Sequence, residues 1–277
     1  KVFNRDVPIT RILNEDGAAS AVHSPYLVHA KGGARYWNND RYFIELNFID
    51  GRQMRNDIIS KKLPTIEEFK AVTSCLLRAL NTLHHHRIEN EEAPILHSGI
   101  RKDYHMLDTD GGAVLIDFGI AGSPRVDGYQ GTKGYVAPDL AMGGDIQFCQ
   151  DGDLFALGIT LFEWLYGKYP YERLHLNAKP IDTKEIRNDV SQPLRQWLRK
   201  AIHTVSENRF QSIDEMEDTF QASLKEMVIV PDIETMEFVE EEATDIALPE
   251  PILTFPGRLD EGNPFVTYLN SLHNATG

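Results

Sequence analysis

At 277 residues, 42% hydrophobic and 25% charged, the chain is long enough to bury a substantial core and lies far from the compositions of disordered proteins. A formal net charge of -14 excludes nonspecific binding to a nucleic-acid backbone, which needs a dense Lys/Arg surface. Two cysteines, Cys75 and Cys149, are too few for a disulfide framework, no run of about 18 apolar residues is present, and Lys1-Val-Phe-Asn4 is not an export leader. The expected setting is therefore a reducing cytoplasm away from membranes. Because the chain does not open on Met, a longer polypeptide with further domains is expected around it.

From Lys1 to Ile49 the pattern is mixed. Ile9 to Val22 fits a helix, and Tyr26 to His29 and Tyr42 to Ile49 read as extended, which predicts a small α+β unit. Between Thr65 and Leu83 apolar residues recur three or four apart at Phe69, Val72, Leu76, Leu80 and Leu83, predicting a long helix with one buried stripe. His84-His-His86 closes that helix and is read as C-terminal capping. Short strands are expected at Ile95-Leu96, Met106-Leu107 and Ala113 to Ile116, with Asp110-Gly-Gly112 as the turn between the last two. Beyond Tyr135 helical patterns take over, at Leu154 to Leu165, Leu194 to His203 and Ile213 to Met227. After that, prolines, apolar pairs and Glu240-Glu-Glu242 make a segment that reads as a linker or strap.

The most specific passage is Ile116-Asp-Phe-Gly119, directly after an apolar strand, followed by Gly131-Thr-Lys-Gly-Tyr-Val-Ala-Pro-Asp139. That ordered combination resembles the protein-kinase signature set, in which the Asp-Phe-Gly aspartate holds Mg²⁺ against the phosphates of ATP. Asp153-Leu-Phe-Ala-Leu-Gly158 resembles the start of the family's central apolar helix, whose aspartate braces the catalytic loop. Arg209 matches the late arginine that pairs with the acidic residue ending the activation segment, here Asp139. In the small lobe, Ser24-Pro-Tyr-Leu-Val28 resembles the segment after the regulatory helix, which places Glu15 at the family's ion-pairing glutamate and Lys1 at its phosphate-reaching lysine. Phe43 to Gly51 resembles the hinge, with Leu46 as gatekeeper and Asn47 and Phe48 offering backbone groups to adenine.

The catalytic loop departs from the family. Against the family's His-Arg-Asp-x-Lys-x-x-Asn, an ungapped match reads His97-Ser-Gly-Ile-Arg-Lys-Asp-Tyr104. Gly99 stands at the base position and cannot take a proton, while Tyr104 replaces the asparagine that would hold a second Mg²⁺. Ser98 replaces the arginine that answers activation-loop phosphorylation, and Arg101 keeps a cation where the family has its lysine. In a second reading, Arg101-Lys-Asp103 is a shifted loop in which Asp103 is the base.

The resemblance implies a two-lobed, α+β protein-kinase-like fold. The expected divisions are an incomplete N-lobe over 1-49, a mainly helical C-lobe over 50-227 and an acidic tail over 228-277. Two functions follow: a pseudokinase that binds ATP, with Mg²⁺ at Asp117, and regulates a partner or another domain, or an active serine/threonine kinase with a rearranged loop acting on a protein substrate. The stretch from Gly257 to Asn274 also resembles a segment following the kinase-like part of large bacterial proteins of phage-growth-limitation and related defence systems.

Overall fold

The first three residues lie antiparallel to residues 42-44, with Phe3 N–H donating to the Tyr42 carbonyl at 2.9 Å and Ile44 N–H to the Lys1 carbonyl at 2.9 Å. Alternation along this extended piece exposes Val2 and turns Phe3, only 5% exposed, inward on the same face as Lys1. The computed structural model describes residues 1-37, 41-118, 121, 134-142, 149-175, 177-183 and 186-225, all of which fall within one compact unit. Gly119, Gly131 to Lys133 and the segment 228-277, including its resemblance to defence proteins, lie outside the described residues.

Helix α1 (Ile9–Ala21) follows Pro8, and strands β1 (Arg35–Trp37) and β2 (Arg41–Phe43) pair antiparallel. Ile12, Glu15, Ala18 and Ala19 form the buried face of α1. The extended run expected through Ile49 stays in strand form only to Phe43. Its continuation is tied to residues 29-31 instead, through Lys31 N–H to Glu45 and Asn47 N–H to His29.

Strand β3 (Gly51–Gln53) leads into α2 (Met54–Ser60), and α3 (Ile66–His84) is capped by the Thr65 hydroxyl, which accepts from Glu68 N–H at 3.1 Å. The apolar stripe of α3, Phe69 to Leu83, lies in the core as its spacing predicts. Two short strands, β4 (Arg87–Ile88) and β5 (Glu91–Glu92), pair with each other. Strand β6 (His105–Asp108) then runs between β3 and β7 (Ala113–Leu115), with Met106 opposite both Gln53 and Val114. The β6–β7 turn is held by the Asp108 carboxylate, which accepts from Asp110 and Gly112 N–H, and Gly111 takes the left-handed φ of +88°. Leu115 exchanges backbone bonds with Tyr26 and Val28, which ties the small α+β end to the strand leading into Asp117.

No strand forms at Ile95-Leu96. Ile95 N–H bonds the Leu83 carbonyl, and the next amides, from His97 and Ser98, are taken by a carboxylate rather than a ladder. The helical part comprises α4 (Pro138–Met142), α5 (Gln150–Tyr166), α6 (Gln192–Ala201) and α7 (Ile213–Lys225). Helix α5 is buried from Asp153 to Tyr166, so it is the axis on which the other helices pack. Among the described residues no helix is long and apolar enough to cross a membrane, and Cys75 and Cys149 are half-buried and unbridged.

Arg209 closes this part of the fold. Its guanidinium, 1% exposed, makes two 2.8 Å bonds to Asp139 and one of 2.7 Å to Asp151. Arg209→Met should strand two acidic groups and lower unfolding stability by about 3–5 kcal/mol, as breaking a buried ion pair does. Urea unfolding that shifts to a lower midpoint at unchanged slope would bear this out.

Candidate functional site

Register along residues 1-3 aims the Lys1 side chain at α1, where its ammonium meets Glu15 at 2.7 and 2.8 Å. The same nitrogen is 3.1 Å from Asp117 Oδ2. Asp117 is reached from β7 and holds a left-handed φ of +70°, a strained setting for a residue with a side chain. Three segments thus bring Lys1, Glu15 and Asp117 together. Glu15 is 2% exposed, and burial raises its pKa against the opposing pull of Lys1, with Asp117 raising it further.

The loop after Leu96 is organised from α5. Asp153 accepts from His97 N–H at 2.8 Å, Ser98 N–H at 2.7 Å and the His84 ring at 3.1 Å. His84 is therefore a buried part of this brace, while His85 alone occupies the helix C-cap, which corrects the reading of the three histidines as capping residues. The His97 ring packs on Phe118, 5.3 Å between centroids. Ser98, at φ +62°, turns the chain, and Gly99 follows at once. A cavity of about 20 Å³, room for about one water, borders Gly99, Ser98, Tyr135 and Asp153. Among its described lining residues only Asp153 carries a carboxylate, already shared among three donors.

Asp103 lies in a single 3-10 turn, Lys102–Tyr104, with its carboxylate between Arg55 Nε at 3.1 Å and Arg101 Nε at 3.3 Å. Arg101 also sits over the Tyr104 ring at 4.6 Å. Tyr104 is pinned by its backbone, donating to the Arg101 carbonyl at 2.9 Å and accepting from Ile116 N–H at 2.8 Å. Burial first, and the Asp117 charge second, push the phenol pKa up, so it stays a hydrogen-bond donor.

At the segment expected to be the hinge, Leu46 is half-buried and bridges Ala30, and Asn47 spends its N–H on the His29 carbonyl rather than leaving it for adenine. Phe48 is 71% exposed.

Sequence reasoning missed a second cluster. Glu163, buried in the apolar α5, accepts from the Tyr135 hydroxyl and meets Lys102 at 3.1 Å, beside a groove of about 930 Å³ that also includes Tyr169, Arg173 and Leu174. A single carboxylate within the apolar run Leu154 to Tyr166 was the available signal. Also missed was Gln53, whose amide reaches the Asp103 carbonyl at 3.5 Å.

Magnesium sites of kinases combine one or two protein oxygens with phosphates and water. Asp117 offers one carboxylate, already facing an ammonium, and the position that the ungapped loop match gives to a second ligand holds the Tyr104 phenol; no three His, Cys, Asp or Glu side chains converge on a metal site among the described residues. The residues do not fit a two-cation arrangement.

The family described as "Protein kinase domain" matches residues 2–229. Human "Rhodopsin kinase GRK1" is 27% identical over 160 residues, covering 54% of this chain and 26% of that protein. "Serine/threonine-protein kinase cst-1" of Caenorhabditis elegans is 25% identical over 228 residues (78% and 44%), and "Serine/threonine-protein kinase PrkC" of Bacillus subtilis 24% over 223 residues (76% and 33%). The chain thus spans less than half the length of each of these relatives.

Beneath the loop, His105 is fully buried and its ring bonds the Arg101 carbonyl at 2.9 Å. Burial, and then the nearby His97, lowers its pKa to about 3. A base whose folded pKa is depressed stabilises the fold above its unfolded value near 6.5, and that stability drains away as pH falls from there toward 3. His105→Leu should shrink the loss of stability between about pH 7 and about pH 5 by ~2 kcal/mol. Urea unfolding at the two pH values reads this directly, and an unchanged loss would refute it.

Proposed function

The chain belongs to the protein kinase domain family, and from that membership we propose that it is a pseudokinase, which binds ATP and regulates a protein partner or another domain of its polypeptide. The observation that carries this reading is the grip of Asp153 on the amides of His97 and Ser98, which leads the chain straight into Gly99. Where a proton acceptor is needed there is no side chain, and the nearest carboxylate among the described lining residues is already committed. Lys1, by contrast, positioned by Glu15 and Asp117, keeps a cation that suits a nucleotide's phosphates. Asp103, held between Arg55 and Arg101, is a poor substitute base, because each of its carboxylate oxygens is already engaged by a guanidinium. Its side chain is instead suited to fixing the loop. Resemblance of the tail to defence-associated bacterial proteins is the support for a role in bacterial defence within the cytoplasm.

ATP at one hundred times its Kd should stabilise the protein by about 2.7 kcal/mol, seen as a rise in Tm that is lost in Lys1→Met. Transfer of the γ-phosphate to protein substrates should stay at background and be unaffected by Asp103→Ala. Robust transfer abolished by that substitution would instead establish an active kinase with a rearranged loop.

A further inference from the structure

Kinase sites use divalent cations to neutralise phosphate charge and fix its geometry. Here the residues that would receive those cations are otherwise engaged. Lys1 bridges Glu15 at 2.7 Å and Asp117 at 3.1 Å, so the carboxylate that would hold a metal already faces a positive charge. The position of the second ligand is filled by Tyr104, and a phenol is a poor partner for a hard cation that selects carboxylate, carbonyl and water oxygens. The Arg101 guanidinium is stacked 4.6 Å from that ring, and the same loop segment is bonded through Tyr104 to Ile116, the residue before Asp117.

We propose that this chain holds the phosphates of a nucleotide without needing a divalent cation, with Lys1 and Arg101 supplying the positive charge and the Tyr104 hydroxyl donating a hydrogen bond where a metal ligand would stand. The inference rests on the nucleotide-binding reading above and specifies how that site treats phosphate. Its chemistry is consistent. An ammonium and a guanidinium at short range offset phosphate charge with donors as well as field, and a guanidinium presents a planar fork that matches phosphate oxygens. Burial and the nearby Asp117 keep the phenol protonated at neutral pH, so it approaches phosphate as a donor and not as a competing anion.

Calorimetric titration of the intact chain with ATP and with AMP, in EDTA and again in excess Mg²⁺, tests this. Wild-type affinity for ATP should differ by less than about threefold between the two buffers, and in EDTA ATP should bind at least about tenfold more tightly than AMP. Tyr104→Phe, which removes one hydrogen bond, should weaken metal-free ATP binding about fivefold. Tyr104→Asn should restore an oxygen ligand and make Mg²⁺ tighten binding by about tenfold. Wild-type binding that needs Mg²⁺ by tenfold or more overturns the inference while leaving nucleotide binding intact. No binding in either buffer overturns the nucleotide reading and this inference with it. The wild-type comparison decides the matter even where a variant fails to fold.

Discussion

One carboxylate organises the centre of this molecule. Asp153 is 3% exposed, and water is therefore unavailable to satisfy it, yet it collects two main-chain amides and an imidazole from segments 55, 56 and 69 residues away in the chain. A buried carboxylate without such donors would cost several kcal/mol. The two amides in turn have no ladder partner to saturate them, since residues 97 and 98 lie in no strand. Each side needs the other, and the result is a loop of fixed path anchored to the helix on which the core packs. The left-handed turn at Ser98 is held by that same pair of bonds.

Two further charge clusters hang on this frame, and they differ in what they are for. Arg209 with Asp139 and Asp151 is closed, its guanidinium 1% exposed and its bonds at 2.7 to 2.8 Å, so it serves the packing of α4, α5 and the chain before α7. Lys1 with Glu15 and Asp117 is open, since the Lys1 side chain is 32% and the Asp117 side chain 17% exposed. An open cluster of this kind can exchange one of its internal contacts for a ligand. Gly99, in the loop braced by Asp153, contributes no side chain, and in the proposed pseudokinase charge to hold phosphate is kept while the residue that would accept a proton is lacking. The proposed role as a binding and regulatory domain follows from that imbalance.

Much of the architecture was legible in the chain. Helices α3, α5, α6 and α7 announce themselves because an apolar stripe or an all-apolar run is a local pattern, and their ends lie within a few residues of the patterned segments. The Asp110 to Gly112 turn is similarly local, since a left-handed φ at Gly111 is a property of the residue itself. Strand prediction fared worse at Ile95-Leu96, because a strand exists only if a partner edge is present, and here Ile95 bonds the end of α3 while the amides of His97 and Ser98 go to a side chain. His84 was misjudged for the same reason: position at a helix end suggests capping, whereas its burial against Asp153 depends on how α3 and α5 cross.

What the sequence carried on its own was the set of groups: a kinase-like order of motifs, a loop that reads with Gly99 or, when shifted, Asp103 at the base position, and Lys1, Glu15 and Asp117 as candidates. Those are statements about residue type and spacing, which the chain carries explicitly. Only the tertiary structure decided which groups meet. Nothing local says that Lys1 bridges two carboxylates, that Asp103 is shared by Arg55 and Arg101, or that Glu163 is matched by Tyr135 and Lys102. Charges interact through space with a strength set by separation and burial, and both quantities come into being only when distant segments pack.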